Sequence, residues 1–237
     1  ALCVAISGKC YMSLGCYNQS ANRGECFQNC RRAYRLTDVE TGDELEVQNQ
    51  YIMSPKDLCT LPHLDKLAEA GVSIYKLEGR ARTAQYVSTV TRAYRAGLDA
   101  VEDESFAPEN FQPLEAGLAS VFNRGFWDGG YYCGEKMGEW AASGHSQATV
   151  KRIELGHVTN FFAKIGIVEF TLWQKELLPG CELLVEGPTT GAVQTHVESL
   201  RVDGNPADKA VKGDKVTFVL PQKARRQDKV FLLQPVQ

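Results

Sequence analysis

The stretch "CVAISGKCYMSLGCYNQSANRGECFQNCRR" (residues 3–32) holds five of the chain's eight cysteines. The thiols are Cys3, Cys10, Cys16, Cys26 and Cys30, set among Gly, Ser and Asn and closed by Arg31 and Arg32. Several chemistries use clustered thiols. Disulfides suit small exported scaffolds, whereas this chain has 237 residues and starts without the basic-then-apolar pattern of a secretory signal. Structural zinc draws on paired, closely spaced knuckles, and only Cys26 and Cys30 are that close. A nucleophile needs one thiol and a base, not a cluster. An iron–sulfur cluster gathers thiolates from more tolerant spacings. Independent buried thiols explain five within 28 residues poorly. On spacing alone, iron–sulfur and zinc stand about level.

The rest of the composition is that of a globular protein, with 43% hydrophobic and 23% charged residues. The length suffices for one large or two ordinary domains. No apolar run approaches the ~18 residues needed to span a bilayer, so no membrane partner and a cytoplasmic location are expected. The chain begins with Ala and not Met, which predicts a fragment or a processed product. Net charge is −3 but uneven: residues 1–144 carry −5 and residues 145–237 carry +2. Only the second part leans toward polyanions.

The pattern Cys, six residues, Cys, fifteen residues, Cys, three residues, Cys, Arg is filled by Cys3, Cys10, Cys26, Cys30 and Arg31. It continues through "YIMSPKDLC" (51–59), "AGVSIYKLEGR" (70–80), "YVSTVTRAYRAGLD" (86–99) and "FNRGFWDGGY" (122–131). These motifs resemble the U32 peptidase family over most of the chain. The resemblance implies an oxygen-sensitive iron–sulfur cluster, of the 4Fe-4S type, on Cys3, Cys10, Cys26 and Cys30. It also implies oxygen-independent hydroxylation with prephenate as co-substrate. Family substrates include a wobble uridine of tRNA, a cytidine of ribosomal RNA and a ubiquinone precursor, and the family's name records collagenase-like proteolysis. Cys16 has no counterpart in the motif and is expected to be a small core residue, with a spare ligand as the other reading. Cys59, Cys133 and Cys181 stand alone and are expected to pack.

The predicted architecture is α/β plus all-β. Residues 31–54 read as β structure around the turn "ETGDE". Leu58, Leu61, Leu64 and Leu67 recur at helical spacing up to a stop at Gly71. "VSIYKLEGR" reads as a short strand. From Thr83 to Val101 a helix is expected, with Val87, Val90, Tyr94, Leu98 and Val101 as its apolar stripe. This alternating order predicts parallel strands, and the resemblance makes residues 1–101 the closing part of a TIM-like barrel. Its earlier strands would then be an N-terminal half normally present in the same polypeptide. Residues 102–145 read as a connector with a short helix. Residues 146–237, short β runs broken by PG, GP, TG and DG, predict a small barrel resembling those of translation factors.

Candidate site residues follow from charge. Lys76 and Glu78 alternate onto one face of the expected strand, near its C-terminal end. Lys56 and Asp57 are expected in a similar place after another strand. These four are the catalytic candidates; a structural ion pair is the competing reading for Lys76 and Glu78. Prephenate carries two carboxylates and would need clustered cations, for which Arg31 and Arg80 join Lys56 and Lys76. The run "QKARRQDK" offers Lys223, Arg225 and Arg226 to phosphates, against the reading of a solvated edge. Phe161, Phe162, Phe170 and Trp173 could stack on bases, though at strand spacing core packing is the commoner role. The four histidines form neither H-x3-H nor HExxH, and no G-x-S-x-G occurs. The predicted function is therefore iron–sulfur, prephenate-dependent hydroxylation of RNA, with tRNA uridine as the expected target. A peptidase and a non-catalytic RNA- or protein-binding module are the alternatives.

Overall fold

The computed structural model describes residues 10–45, 51, 53–79, 82–128, 139–141 and 143–236. These divide into two compact units: Ala1–Glu78 with Ala93–Ala148, and Gly79–Arg92 with Thr149–Gln237. The sequence placed a break at 101 and a free-standing connector over 102–145. In the structure residues 102–145 belong to the first unit, and 79–92 group with the β-rich part.

The first unit is mostly helices and short strands. Helix α1 (Tyr11–Tyr17) starts at Cys10 and ends at Asn18, whose left-handed conformation (φ 52°) turns the chain out of the helix. Strands β1 (Leu36–Thr37) and β2 (Glu44–Leu45) pair antiparallel around the predicted turn. Helix α2 (Leu64–Glu69) follows a single 3₁₀ turn that buries Leu61. It stops at Gly71, where Gly71 N–H bonds the Ala68 carbonyl (2.9 Å) and Val72 N–H that of Leu67 (3.0 Å), a Schellman pair. The second half of helix α3 (Ala84–Glu102), from Ala93, and helix α4 (Gln112–Ser120) complete its helices. The unit's core is Leu61, Leu64, Tyr94, Phe111, Leu118, Val121 and Trp127.

One expectation fails here. Residues 72–79 form no strand, and both Lys76 and Glu78 are exposed. The parallel sheet of a TIM-like barrel reduces, among the described residues, to one pair: β3 (Asp57–Leu58) alongside β4 (Phe126–Trp127). A two-residue pair offers too few ladder hydrogen bonds to fix a barrel wall. Along the expected stripe of α3, Tyr94 is buried and Val90, Leu98 and Val101 are half-buried, while Val87 is 45% exposed.

The second unit is an eight-stranded antiparallel sheet in the order β10-β9-β11-β6-β5-β12-β7-β8. The strands are β5 (Val150–Phe162), β6 (Ile167–Thr171), β7 (Cys181–Gly187), β8 (Gly191–Val197), β9 (Leu200–Val202), β10 (Asn205–Ala207), β11 (Lys215–Val219) and β12 (Lys229–Pro235). Period-two alternation drives it: Val168 and Phe170 in β6, and Val216 and Phe218 in β11, all turn inward. Register shifts in β5 against β6 and β12 bend the ladder. Residues from β5 through β12 then share one core, including Leu155, Val158, Leu183, Val193, Leu200 and Val230. The sheet thus curls around its core as a barrel would. The ladder stays open, since β8 and β10 pair with one neighbour each.

The β11–β12 connection is braced from below by Asp228. Its side chain, 3% exposed, accepts the Arg225 N–H (2.7 Å) and the Thr190 hydroxyl (2.5 Å). Gly187 makes room for it: a Cβ there would stand 1.8 Å from Asp228 Oδ1. Gly187→Ala is accordingly expected to destabilise this unit by about 1–3 kcal/mol, the usual range for overpacking a filled site. Chemical denaturation followed by fluorescence of a Trp127→Phe, Trp140→Phe background, in which Trp173 is the remaining indole, would read it, and an unchanged midpoint would show that the loop yields freely.

Candidate active site

The cysteine segment is held together by its own backbone. Cys10 occupies the start of α1, and hydrogen bonding from the Ser13 backbone holds its thiol below the usual range. Cys26 Sγ accepts the Gln28 N–H at 3.4 Å. Cys30 lies in the single turn Asn29–Arg31, and Tyr34 donates its hydroxyl to the Asn29 carbonyl (2.8 Å). Asn29 Nδ2 reaches the Met12 carbonyl at 3.5 Å, which joins the Cys30 turn to the first turn of α1. Asn29 Oδ1, a buried oxygen beside these thiols, has no hydrogen-bond partner among the described residues.

Part of this suits a soft metal centre. The thiols of Cys10, Cys26 and Cys30 are partly exposed, one is biased toward thiolate, and one already receives an N–H···S contact. The grouping is incomplete, because among the described residues no three His, Cys, Asp or Glu side chains stand close enough to hold a metal ion. Cys3, the fourth motif thiol, lies outside the described residues, as does Cys133. Cys16 is exposed and not a core residue as expected, because it sits on the outer side of α1. Cys59 is buried, and burial pushes its thiol up; Cys181 packs at the edge of the β core.

The segment "SPKDLC" forms the floor beside it. On one side Lys56 N–H bonds the Glu139 carbonyl and Ala141 N–H bonds that of Ser54. On the other, Asp57 N–H bonds Gly125 and Cys59 N–H bonds Trp127. Extended backbone sends successive side chains opposite ways. Lys56 therefore forms an ion pair with Glu139, while Asp57 turns inward to Arg124. The sequence put Lys56 and Asp57 together after a strand; they straddle the start of β3 and serve different sides.

Arg124 is the residue that sequence reading missed. Only 4% exposed, it faces the equally buried Asp57: Nη1 lies 3.8 Å from Oδ1, and its backbone N–H donates to Oδ2 at 3.0 Å. Its guanidinium also covers the Phe122 ring (5.0 Å) and reaches Gln28 Oε1 (3.5 Å) in the cysteine segment. Arg31 makes a second tie, donating to the Pro55 carbonyl at 3.2 Å. The thiol-bearing turn is thereby pinned to the strand that carries Lys56 and Asp57. Arg124 lies within "FNRGFW", but its partner is 67 residues away, and no local pattern marks such a pairing.

Beside this strand opens a cleft of about 740 Å³, lined by Lys56, Cys59, Gln112, Glu115, Phe126, Trp127, Asp128 and Glu139. That volume is in the range for small-ligand sites. Tyr94 bonds the Thr60 N–H (2.9 Å) behind the cleft wall, and burial pushes its hydroxyl to about 12, which keeps it neutral. Lys76 and Glu78 are exposed, and Arg80 lies outside the described residues. In the β unit Lys223, Arg225 and Arg226 are all exposed on the β11–β12 loop. Phe170 is fully buried and Phe161 packs on the core, whereas Phe162 and Trp173 are 40% and 47% exposed.

A thiol-rich segment anchored on a ligand-sized cleft, followed in the chain by an antiparallel β unit, defines a class of two-unit proteins. Residues 1–142 match the model of peptidase family U32. The chain belongs to that family. It is 44% identical over 231 residues to a collagenase of Porphyromonas gingivalis, spanning 98% of this chain and 56% of the relative. It is 30% identical over 213 residues to the 23S rRNA 5-hydroxycytidine C2501 synthase of Escherichia coli, covering 75% of this chain and 32% of that protein. It is 36% identical over 115 residues to tRNA hydroxylation protein P1 of Bacillus subtilis, covering 47% and 26%. The chain thus spans little more than half of the first of these relatives and less of the others. No described helix is long and apolar enough to cross a membrane.

Proposed function

We propose that this chain belongs to an RNA-hydroxylating enzyme, acting without dioxygen on a base of RNA, tRNA uridine first among the candidates. The observation that carries the reading is the pinning of the Cys26–Cys30 turn, through Arg31 and Arg124, to the strand beside the Lys56 cleft. Cys3, Cys10, Cys26 and Cys30 would hold an iron–sulfur cluster, which supplies electron transfer and Lewis-acid chemistry when bound. The chain's own residues bind and orient. Lys56, released from Glu139, and Arg31 would take the carboxylates of prephenate, with Lys76, Glu78 and Arg80 completing the charged set. Asp57 positions Arg124 and does not touch substrate.

Names among the relatives divide between hydroxylation and proteolysis, and the collagenase has the higher identity. Among the described residues, three histidine rings pair with carboxylates. His63, His157 and His196 face the carboxylates of Asp128 (3.3 Å), Glu154 (3.2 Å) and Glu182 (2.8 Å). None of these bonds activates a Ser or Cys nucleophile. The test is anaerobic incubation of the full-length, cluster-loaded protein with prephenate and unmodified tRNA, followed by nucleoside mass spectrometry. Gain of one oxygen on a base is expected, with gelatin left intact in a parallel assay. Gelatin cleavage by iron-free protein, with the RNA unchanged, would overturn the reading in favour of a peptidase.

The β11–β12 loop would add phosphate contacts. Changing Lys223, Arg225 and Arg226 together to Ala removes up to three of them. The log–log salt dependence of RNA binding is expected to become shallower by about two to three units, at ~0.7–0.9 per contact. The iron spectrum should not move, and activity should fall through a raised KM. An unchanged slope and KM would make the loop a solvated edge.

A further inference from the structure

A second groove, unrelated to the thiols, lies wholly within the β-rich unit. The first half of α3 and strands β7 and β8 enclose about 300 Å³. Gln85, Ser88, Thr89 and Arg92 face it from the helix, spaced i, i+3, i+4 and i+7 and so on one side. The sheet and the β11–β12 loop line it with Leu184, Ala192, Val193, Gln194, Pro221 and Gln222. A helix stripe that meets a sheet is ordinarily apolar. Here it carries two hydroxyls, an amide and a guanidinium.

We propose that this groove seats a single-stranded RNA segment, with Ser88, Thr89 and the amides on ribose hydroxyls and Arg92 on a phosphate. The inference rests on the RNA reading above and adds the surface that reads the sugar. Three observations support it. The basic loop starts at the groove's edge, since Lys223 directly follows the lining residue Gln222, and consecutive Cα atoms are about 3.8 Å apart. That loop is fixed before any ligand arrives, because buried Asp228 holds its backbone at Arg225, which lowers the ordering cost of binding. The nearby carboxylate of Glu186 is already engaged, by Arg152 (3.2 Å) and by the Gln85 N–H (3.3 Å). The space is too small for a partner helix, which is about 10–12 Å across, and suits one or two sugar–phosphate units. Hydroxyl and amide groups distinguish RNA from DNA through the 2′-OH.

The experiment uses the full chain and two fluorescent probes, an anticodon stem-loop RNA and the DNA of the same sequence, with affinity measured across a salt series. Wild type is expected to prefer RNA. Arg92→Gln should lower the salt slope by about 0.7, one single-strand phosphate contact. Ser88→Ala with Thr89→Ala should draw RNA affinity down toward that for DNA while leaving the slope unchanged. Thermal melts confirm that both variants are folded. A wild type that binds RNA while both variants match it in slope and preference overturns the groove and leaves the RNA reading standing. A wild type that binds no RNA at low salt overturns the RNA reading itself.

Discussion

Arg124→Met is expected to cost about 3–5 kcal/mol of stability, the usual penalty for leaving a buried charge without its partner. The reason is Asp57. Its carboxylate is 7% exposed, held on the inner side of β3 against the Arg124 guanidinium and backbone. Truncating the cation leaves that carboxylate in a poorly solvated place without its ion-pair partner. Asp57→Asn combined with Arg124→Met should recover part of the loss, since no charge is then stranded. The effect should also reach the thiols, because Arg124 Nη2 contacts Gln28 between Cys26 and Cys30. Urea denaturation of the two single variants and the double would check it. A loss under about 1 kcal/mol for Arg124→Met, with no recovery in the double, would show that the pair is solvated and anchors nothing.

Sequence reading located the elements whose cause is local. The turn "ETGDE", the end of α2 at Gly71, the reach of α3 and the β-rich character of residues 146–237 all rest on neighbours a few residues apart. What it missed depends on distant partners. "VSIYKLEGR" alternates as a strand should, yet residues 72–79 pair with no other segment among the described residues, so the pattern alone yields extended coil. "SPKDL" was read as leading into a helix, but Asp57–Leu58 is drawn into β structure by Phe126–Trp127, 69 residues on. The exposure of Val87 in helix α3 has the same origin. Its first half belongs to the β unit, where a polar face lines a groove, so one apolar stripe cannot serve the whole helix. The thiols were legible because their spacing is itself the motif. Arg124 and Glu139 were not, since an ion pair between remote segments leaves no periodic trace.

The claim at the centre is that Cys3, Cys10, Cys26 and Cys30 jointly hold an iron–sulfur cluster. The most direct measurement is iron, acid-labile sulfide and visible absorption of the full-length protein purified without oxygen, beside its Cys26→Ser variant. Cys26 is the informative position, because its sulfur already accepts an N–H from Gln28 at 3.4 Å and its loss leaves the Arg31 and Arg124 ties in place. A serine hydroxyl is a hard, weakly acidic donor that replaces a thiolate poorly on iron. The account predicts a brown wild type with about four iron and four sulfide per chain. It predicts a folded Cys26→Ser that has lost most of both. Wild type that carries no iron under these conditions, or Cys26→Ser with undiminished iron, would contradict it.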